Sequence, residues 1–183
     1  MQWSNDLTNE LFKPSRKKFQ RRRVVSLFVD HIWATDLLDL QRYSRVNKGY
    51  KYILVVVDVF SKYAWLKALK TKKGVVVAKA FKEIIRNSNN NIPPKFLWSD
   101  RGTEYYNTFV KQVLRQYGIH HYSTYNTEKC VIAERFNRTI RSWLEKYFDT
   151  NEHTVWYNIL DRLEEKYNST VHRSIGLPPI IAR

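Results

Sequence analysis

Tyr52-Ile53-Leu54-Val55-Val56-Val57-Asp58-Val59-Phe60 is strongly β-prone, and its apolar run, Ile53 to Val57, is strand-sized. Upstream, Ile32 to Leu40 reads as a second strand, joined to it by a polar connection through Lys48-Gly49. Downstream, a tight Ser61-Lys62 turn leads to a third, Tyr63 to Leu69. Three strands with short links predict an antiparallel meander. Helical spacing then takes over: Val77, Ala80, Phe81, Ile84 and Ile85 place a helix over about 74–87. Asn89 to Pro94 breaks the chain, and Lys95 to Ser99 is a short strand ending at Asp100. Tyr106 to Tyr117 carries a second helical pattern, with Gly118 at its C-terminal cap. Ile119 to Tyr122 is a fifth strand, and a polar loop runs from Ser123 to Glu128. Two helices are expected after it, over about 129–148 and 154–169. The order predicts an α/β fold, a five-stranded mixed sheet between helices.

The chain has 183 residues, 43% of them apolar and 15% aromatic, enough for one packed domain. No run reaches the eighteen apolar residues that suggest a membrane span, so no membrane partner is expected. Cys130 is the only cysteine, which excludes an internal disulfide and a cysteine-based zinc site. An intracellular location is expected. Thirty-two Lys and Arg against 17 acids give a net charge of +15, in the range of nucleic-acid binders. Seven of the bases lie between Lys13 and Arg23 with no acid among them. Residues 1–30 therefore read as a basic arm, which also permits a nuclear address, and 31–183 as the folded core. Removing the arm leaves a net charge of about +11, so the core is basic in its own right.

Three carboxylates stand out. Asp36 lies inside the first strand among apolar neighbours, Asp100 closes the fourth before a glycine turn, and Glu134 falls in the third helix. An ionised carboxylate in a strand core is costly unless it is paired or metal-bound. Grouped at strand ends, such acids suit Mg²⁺, which takes hard oxygen ligands. Glu134, Arg138 and Arg141 share one helix face, opposite an apolar stripe from Ile132 to Tyr147. The same face could equally be a solvated surface with a Glu134–Arg138 pair.

The strand motif around Asp36, Ser99-Asp-Arg-Gly-Thr-Glu-Tyr and Ala133-Glu-Arg-Phe-Asn-Arg-Thr-Ile resemble the catalytic cores of retroviral-type (DDE) integrases and related transposases. Asn47-Lys-Gly-Tyr-Lys-Tyr-Ile-Leu, Asp58-Val-Phe-Ser-Lys-Tyr-Ala-Trp, Gly118-Ile-His-His-Tyr-Ser-Thr-Tyr-Asn and Tyr167-Asn-Ser-Thr-Val-His-Arg-Ser-Ile-Gly resemble the integrases of Maverick/Polinton elements and virophages. The resemblance implies an RNase H-like fold in which Asp36, Asp100 and Glu134 hold two Mg²⁺ or Mn²⁺ ions. It implies 3′-end processing and strand transfer of mobile-element or viral DNA, a homodimer or higher oligomer, and action in a eukaryotic nucleus or packaging in a virion. Two departures are visible. Thirty-three residues separate Asp100 from Glu134, where retroviral integrases have 35, and Cys130 stands where a small residue is expected. Members of the family often carry a zinc-binding His/Cys module before the core and a chromodomain or other small domain after it, and the single cysteine leaves no module of the first kind within this sequence.

For DNA contact the expected residues are Lys129, Arg135, Arg138 and Arg141, with Tyr125 and Asn126 in the loop before them. Asp39, Asp58 and Glu104 are rival acids: Asp58 is expected to anchor a turn, and a supporting place for Glu104 behind the catalytic acids is the less favoured of its readings. His120 and His121 are expected to be core or turn residues. Two other functions fit the same residues: a catalytically silent, transposon-derived DNA-binding protein, and an RNase H-type nuclease that cuts without joining.

Overall fold

A computed structural model describes residues 24–88, 92–123 and 130–183. Its centre is a five-stranded sheet: β1 (Ile32–Asp39), β2 (Tyr52–Asp58), β3 (Ala64–Leu69), β4 (Phe96–Trp98) and β5 (His120–Tyr122). The spatial order is β3-β2-β1-β4-β5. The first three strands pair antiparallel as a meander, and β4 and β5 join parallel to β1. Parallel neighbours need crossover connections, and helices supply them. These are α1 (Gly74–Asn87) before β4 and α2 (Thr108–Gln116) before β5. Three further helices complete the chain: α3 (Val131–Asn151), α4 (Leu160–Ser169) and the short α5 (Pro179–Ala182).

Every residue of β2 is buried, which is what a strand covered on both faces requires. Its side chains alternate between two cores. Leu54 and Val56 pack with Trp33, Trp65, Phe81, Ile84 and Val110 under α1 and α2. Ile53, Val55 and Val57 pack with Phe136, Ile140, Leu144 and Trp156 under α3 and α4. Burying Ile140 and Leu144 is worth about 1.5–3 kcal/mol each.

Turn chemistry sets the ends. Gly118 has φ +66° just past α2, the left-handed cap expected of it. Lys62 also takes positive φ in the turn between β2 and β3. That turn is held by Asp58, whose carboxylate accepts from the Ser61 amide at 3.0 Å and the Ser61 hydroxyl at 2.5 Å. Asp58 is thus the turn anchor, as expected; burial pushes its carboxyl above the usual range. Asp39, exposed, accepts from the Gln41 amide and side chain and shapes the 3₁₀ turn Gln41–Tyr43.

The expected helix over 154–169 begins instead at Leu160. Asn47, fully buried, reaches across the sheet to Trp156 and Tyr157 and accepts from both backbone amides at 2.7 and 3.3 Å. Its own amide donates to Thr154 and Tyr43 carbonyls. This cross-chain clasp holds residues 154–157 irregular so that Trp156 can enter the core. α3 runs three residues past its expected end at 148.

α4 covers the edge of the sheet. Asn168 takes both backbone groups of Ala64 at 2.9 Å, and Glu164 accepts from Leu66 N at 2.7 Å. An edge strand left open would template pairing with other chains. Two helix side chains close it.

Candidate active site

Asp36 lies on the α3 side of β1, the face it shares with Ala34 and Leu38. One carboxylate oxygen accepts from Leu37 N and the other from the Asn137 side-chain amide, both at 2.8 Å. Burial, chiefly, together with the charges of Asp100 and Glu134, pushes the Asp36 carboxyl up to about 6. The Leu37 and Asn137 hydrogen bonds hold it down in part. The influence of Asp100 and Glu134 on Asp36 places the three acids around one locality.

Asp100 follows the end of β4. Its side chain is exposed and accepts from Gly102 N at 3.1 Å, which shapes the turn. Its backbone carbonyl accepts from the Ser99 hydroxyl at 2.6 Å and the Ser123 hydroxyl at 3.3 Å. Ser99 is bonded in turn to His121 Nε2 at 2.8 Å. The Ser99 hydroxyl has one proton and gives it to Asp100, so His121 must donate through Nε2–H. Tyr106 stacks on His121 at 4.4 Å and hydrogen-bonds Ser123. Burial lowers the His121 pKa. His121 is therefore a brace behind Asp100, and His120 is exposed on the same strand.

Glu134 sits in the first turn of α3, where the helix dipole favours a carboxylate. Asn137, three residues on and on the same side, ties this helix end to Asp36. Asn137 was not among the residues singled out from the sequence. Its spacing from Glu134 was the available signal. The Asn137 Oδ1 is buried without a hydrogen-bond partner.

Tyr105 lies fully buried close to the acids; its hydroxyl pKa is raised by burial first and then by Asp36. Glu104 folds back on Gly102, where a Cβ would meet the carboxylate at 2.5–2.8 Å. Cys130 is buried beneath the site, its thiol 3.7 Å from the Trp98 carbonyl and pushed up to about 12 by burial. At that position it packs as a small apolar residue.

Among the described residues no three His, Cys, Asp or Glu side chains stand close enough to form a closed metal cage. Like charges without a counter-ion repel, and the raised Asp36 pKa records that repulsion together with burial. The chemistry nevertheless fits a hard divalent cation: oxygen donors only, excess negative charge, and one acid whose ionisation a cation would favour. Arg138 and Arg141 are exposed on α3, beside the Glu134 face. Arg135 is exposed and lies near Lys62 and His172, lowering both their pKa values. Lys129, Tyr125 and Asn126 lie outside the described residues.

The five-stranded mixed sheet flanked by helices defines a class, the RNase H-like α/β fold. Residues 29–129 match the integrase core domain, and the chain belongs to that family. It is 33% identical over 141 residues to a transposon-derived protein of Caenorhabditis elegans, covering 77% of this chain and 49% of the relative. It is 28% identical over 152 residues to the Gag-Pol polyprotein of baboon endogenous virus, covering 80% of this chain and 8% of the polyprotein. The chain thus spans half or less of these relatives. The fold matches the HTLV-2 integrase catalytic core domain, solved with magnesium, at a TM-score of 0.69 and 21% identity, over 86% of this chain and 99% of that one. It matches a chain of the simian T-cell lymphotropic virus intasome at a TM-score of 0.74 and 19% identity, over 93% and 60%.

Proposed function

We propose that this chain is the catalytic core of a DNA integrase that trims a 3′ end of mobile-element or viral DNA and joins it to target DNA. The observation that carries the reading is the Asp36 carboxyl, raised to about 6 by burial and by the charges of Asp100 and Glu134. Acids brought together at such a cost need a function that uses their charge. Asp36, Asp100 and Glu134 would hold two Mg²⁺ or Mn²⁺ ions. Bound there, the metals supply Lewis acidity to the attacking and leaving oxygens of a phosphodiester.

The chain's own residues do the rest. Asn137 orients Asp36, the Ser99–His121 brace fixes the peptide of Asp100, and the first turn of α3 carries Glu134. Two displacements follow in one site, the first at a phosphorus of the element DNA and the second at a phosphorus of the target. In trimming, a water oxygen bonds to phosphorus as the 3′ oxygen of the DNA leaves with a proton. In joining, that 3′-hydroxyl gives its proton to solvent as its oxygen bonds to a target phosphorus, and the target's own 3′ oxygen leaves and takes up a proton from solvent. Arg138, Arg141, Lys129, Tyr125 and Asn126 are assigned to the DNA, with Arg135 at the margin.

The motifs around Asn47, Asp58, Gly118 and Tyr167 support a place among Maverick/Polinton and virophage integrases. We assign residues 1–30 to a basic arm and 31–183 to the core. Concerted joining of two ends calls for a dimer or higher oligomer, acting in the nucleus or carried in a virion.

A strand-transfer assay with a pre-cut DNA end tests the reading. Joined product is expected. Cleavage alone would make the protein a nuclease, and binding alone a silent DNA-binding protein.

A further inference from the structure

The segments leading into β2 and out of β3 line an open cavity of about 410 Å³ with a basic wall. Lys51, Lys70, Lys72 and Lys73 line it, against Glu104 as the one acid on the lining. The N-terminus of α1 opens here at Gly74. No side chain caps that helix and no acid lies in its first turn, so its partial positive charge is not offset locally. The Thr71 hydroxyl, also on the wall, is buried without a hydrogen-bond partner.

The cavity is built on fixed elements. A Cβ at Gly74 would meet the Asn107 side chain at 2.3–2.5 Å, so only glycine permits this approach. Asn107 in turn caps α2 by accepting from Val110 N at 3.0 Å. The starts of two helices are thereby pinned together behind the lysines. Thr103 and Glu104 bring the turn after Asp100 to the same wall.

The basic surface continues outward. Lys70 Nζ lies 5.4 Å from the Tyr50 ring centroid, Tyr50 stacks on Tyr157 at 5.8 Å, and Lys48 Nζ lies 4.9 Å from the Tyr157 ring. Lysines alternating with stacked rings offer point charges for phosphates and flat faces for sugars and bases.

We propose that the lysine cavity is a phosphate-binding site for a DNA backbone, extended by the Tyr50–Tyr157 ledge. The identity of the polyanion rests on the DNA reading above; the cavity's affinity for phosphate does not depend on catalysis. Lysine ammoniums and helix amides grip phosphate without reading sequence, so the site positions DNA and confers no base preference.

The test measures binding of the full chain to a DNA duplex in EDTA over a range of salt, by fluorescence anisotropy. Lys51→Ala/Lys72→Ala is compared with the charge-matched pair Lys146→Ala/Arg162→Ala; all four residues are exposed. The cavity pair is expected to flatten the salt dependence of log K by about 1.8, at roughly 0.9 per lost phosphate contact, and the control pair to leave it unchanged. Equal slopes in the two pairs overturn the proposal. Inorganic pyrophosphate, followed by the Gly74 and Thr71 amide NMR shifts, separates the phosphate sources. Saturable pyrophosphate binding with equal DNA slopes makes this a small-molecule phosphate site and also overturns it. Joining is assayed in parallel: a slope change in a protein that cannot join DNA upholds the cavity and removes the integrase reading, and joining with equal slopes does the reverse.

Discussion

Asp36 in β1 and Asp100 just past the end of β4 lie equally far beyond a pair of residues that face each other on neighbouring parallel strands. Ala34 of β1 pairs with Trp98 of β4, and each acid lies two residues farther along in the same direction. Parallel strands run about 4.8 Å apart, so the pairing that ends at Ala34 and Trp98 directs both chains toward the same end of the sheet. α3 then packs across β1 and β2, and the Asn137–Asp36 hydrogen bond pins its first turns, with Glu134, over the pair. Asp36 is the residue that carries the electrostatic cost of this convergence.

Removing either neighbouring charge should therefore relax Asp36. In Asp100→Asn and in Glu134→Gln the Asp36 carboxyl is expected to titrate below about 6, toward the ordinary 3.8. Carboxyl ¹³C NMR titration checks this without any metal present. Joining activity is expected to fall more than about 100-fold in both, because loss of a ligand exceeds the roughly 10–100-fold loss seen when only a ligand's support is removed. Wild-type joining in either variant would break the assignment of the triad.

Asn137→Leu tests the support itself. It removes the donor at 2.8 Å from Asp36 while keeping an apolar side chain of similar size. The Asp36 pKa is expected to rise above its present value, since a hydrogen bond that favours the charged form is lost. Affinity for Mn²⁺, read by titration calorimetry, is expected to drop about 10–100-fold with the fold intact by circular dichroism. Unchanged Mn²⁺ affinity would make Asn137 a simple packing residue.

Much of this architecture is written in local pattern. The all-apolar run of β2, the helical spacing from Val77 to Ile85 and the cap at Gly118 each find their element, because burial and backbone conformation act over a few residues. What escaped depends on contacts between distant segments. Helix α4 starts late because Asn47 holds two amides 109 and 110 residues away. The lysine cavity draws its wall from strand ends, a helix start and the turn after Asp100, so no single stretch announces it. The acids could be picked out singly, from a strand core, a strand end and a helix, but their approach to one end of the sheet needs the parallel β1–β4 pairing.

Arg138→Ala addresses the exposed face of α3. Its guanidinium is exposed, so the substitution should leave stability within about 0.5 kcal/mol. DNA binding is expected to weaken at all sequences alike, with the salt slope reduced by about one unit. A slope equal to that of the unaltered protein would remove Arg138 from the DNA surface.

Divalent metal should stabilise the fold through the same acids. Asp36 has a folded pKa above its ordinary value, so it binds more protons folded than unfolded and its ionisation costs stability as pH rises from about 4 through 6. At pH 7.5 that cost is on the order of 3 kcal/mol. Asp36→Asn is accordingly expected to raise the Tm of the metal-free protein. Adding Mg²⁺ or Mn²⁺ at 100 times its Kd should stabilise the unaltered protein by about 2.7 kcal/mol and leave Asp36→Asn unmoved. Thermal melts with and without EDTA decide it, and an equal metal response in both proteins would place the ions elsewhere.

Glu164 provides the corresponding test far from the acids. Burial, as the largest cause, raises its carboxyl to about 7, against the Leu66 amide that it accepts from. A raised folded pKa again means more protons bound in the folded state, so Glu164 costs stability as pH climbs from about 4.5 through 7. Glu164→Gln keeps an oxygen for Leu66 and cannot ionise. It should match the parent in stability near pH 4 and exceed it by on the order of 3 kcal/mol at pH 8. Glu164→Ala separates charge from hydrogen bond: it leaves the edge-strand amide without its acceptor and should lose about 1–3 kcal/mol at pH 4, where the carboxyl is neutral in the parent. Urea unfolding of the three proteins at both pH values gives all four differences. If Gln and Glu proteins are equally stable at pH 8, burial does not set the titration of this group, and the edge is held by Asn168 and packing alone.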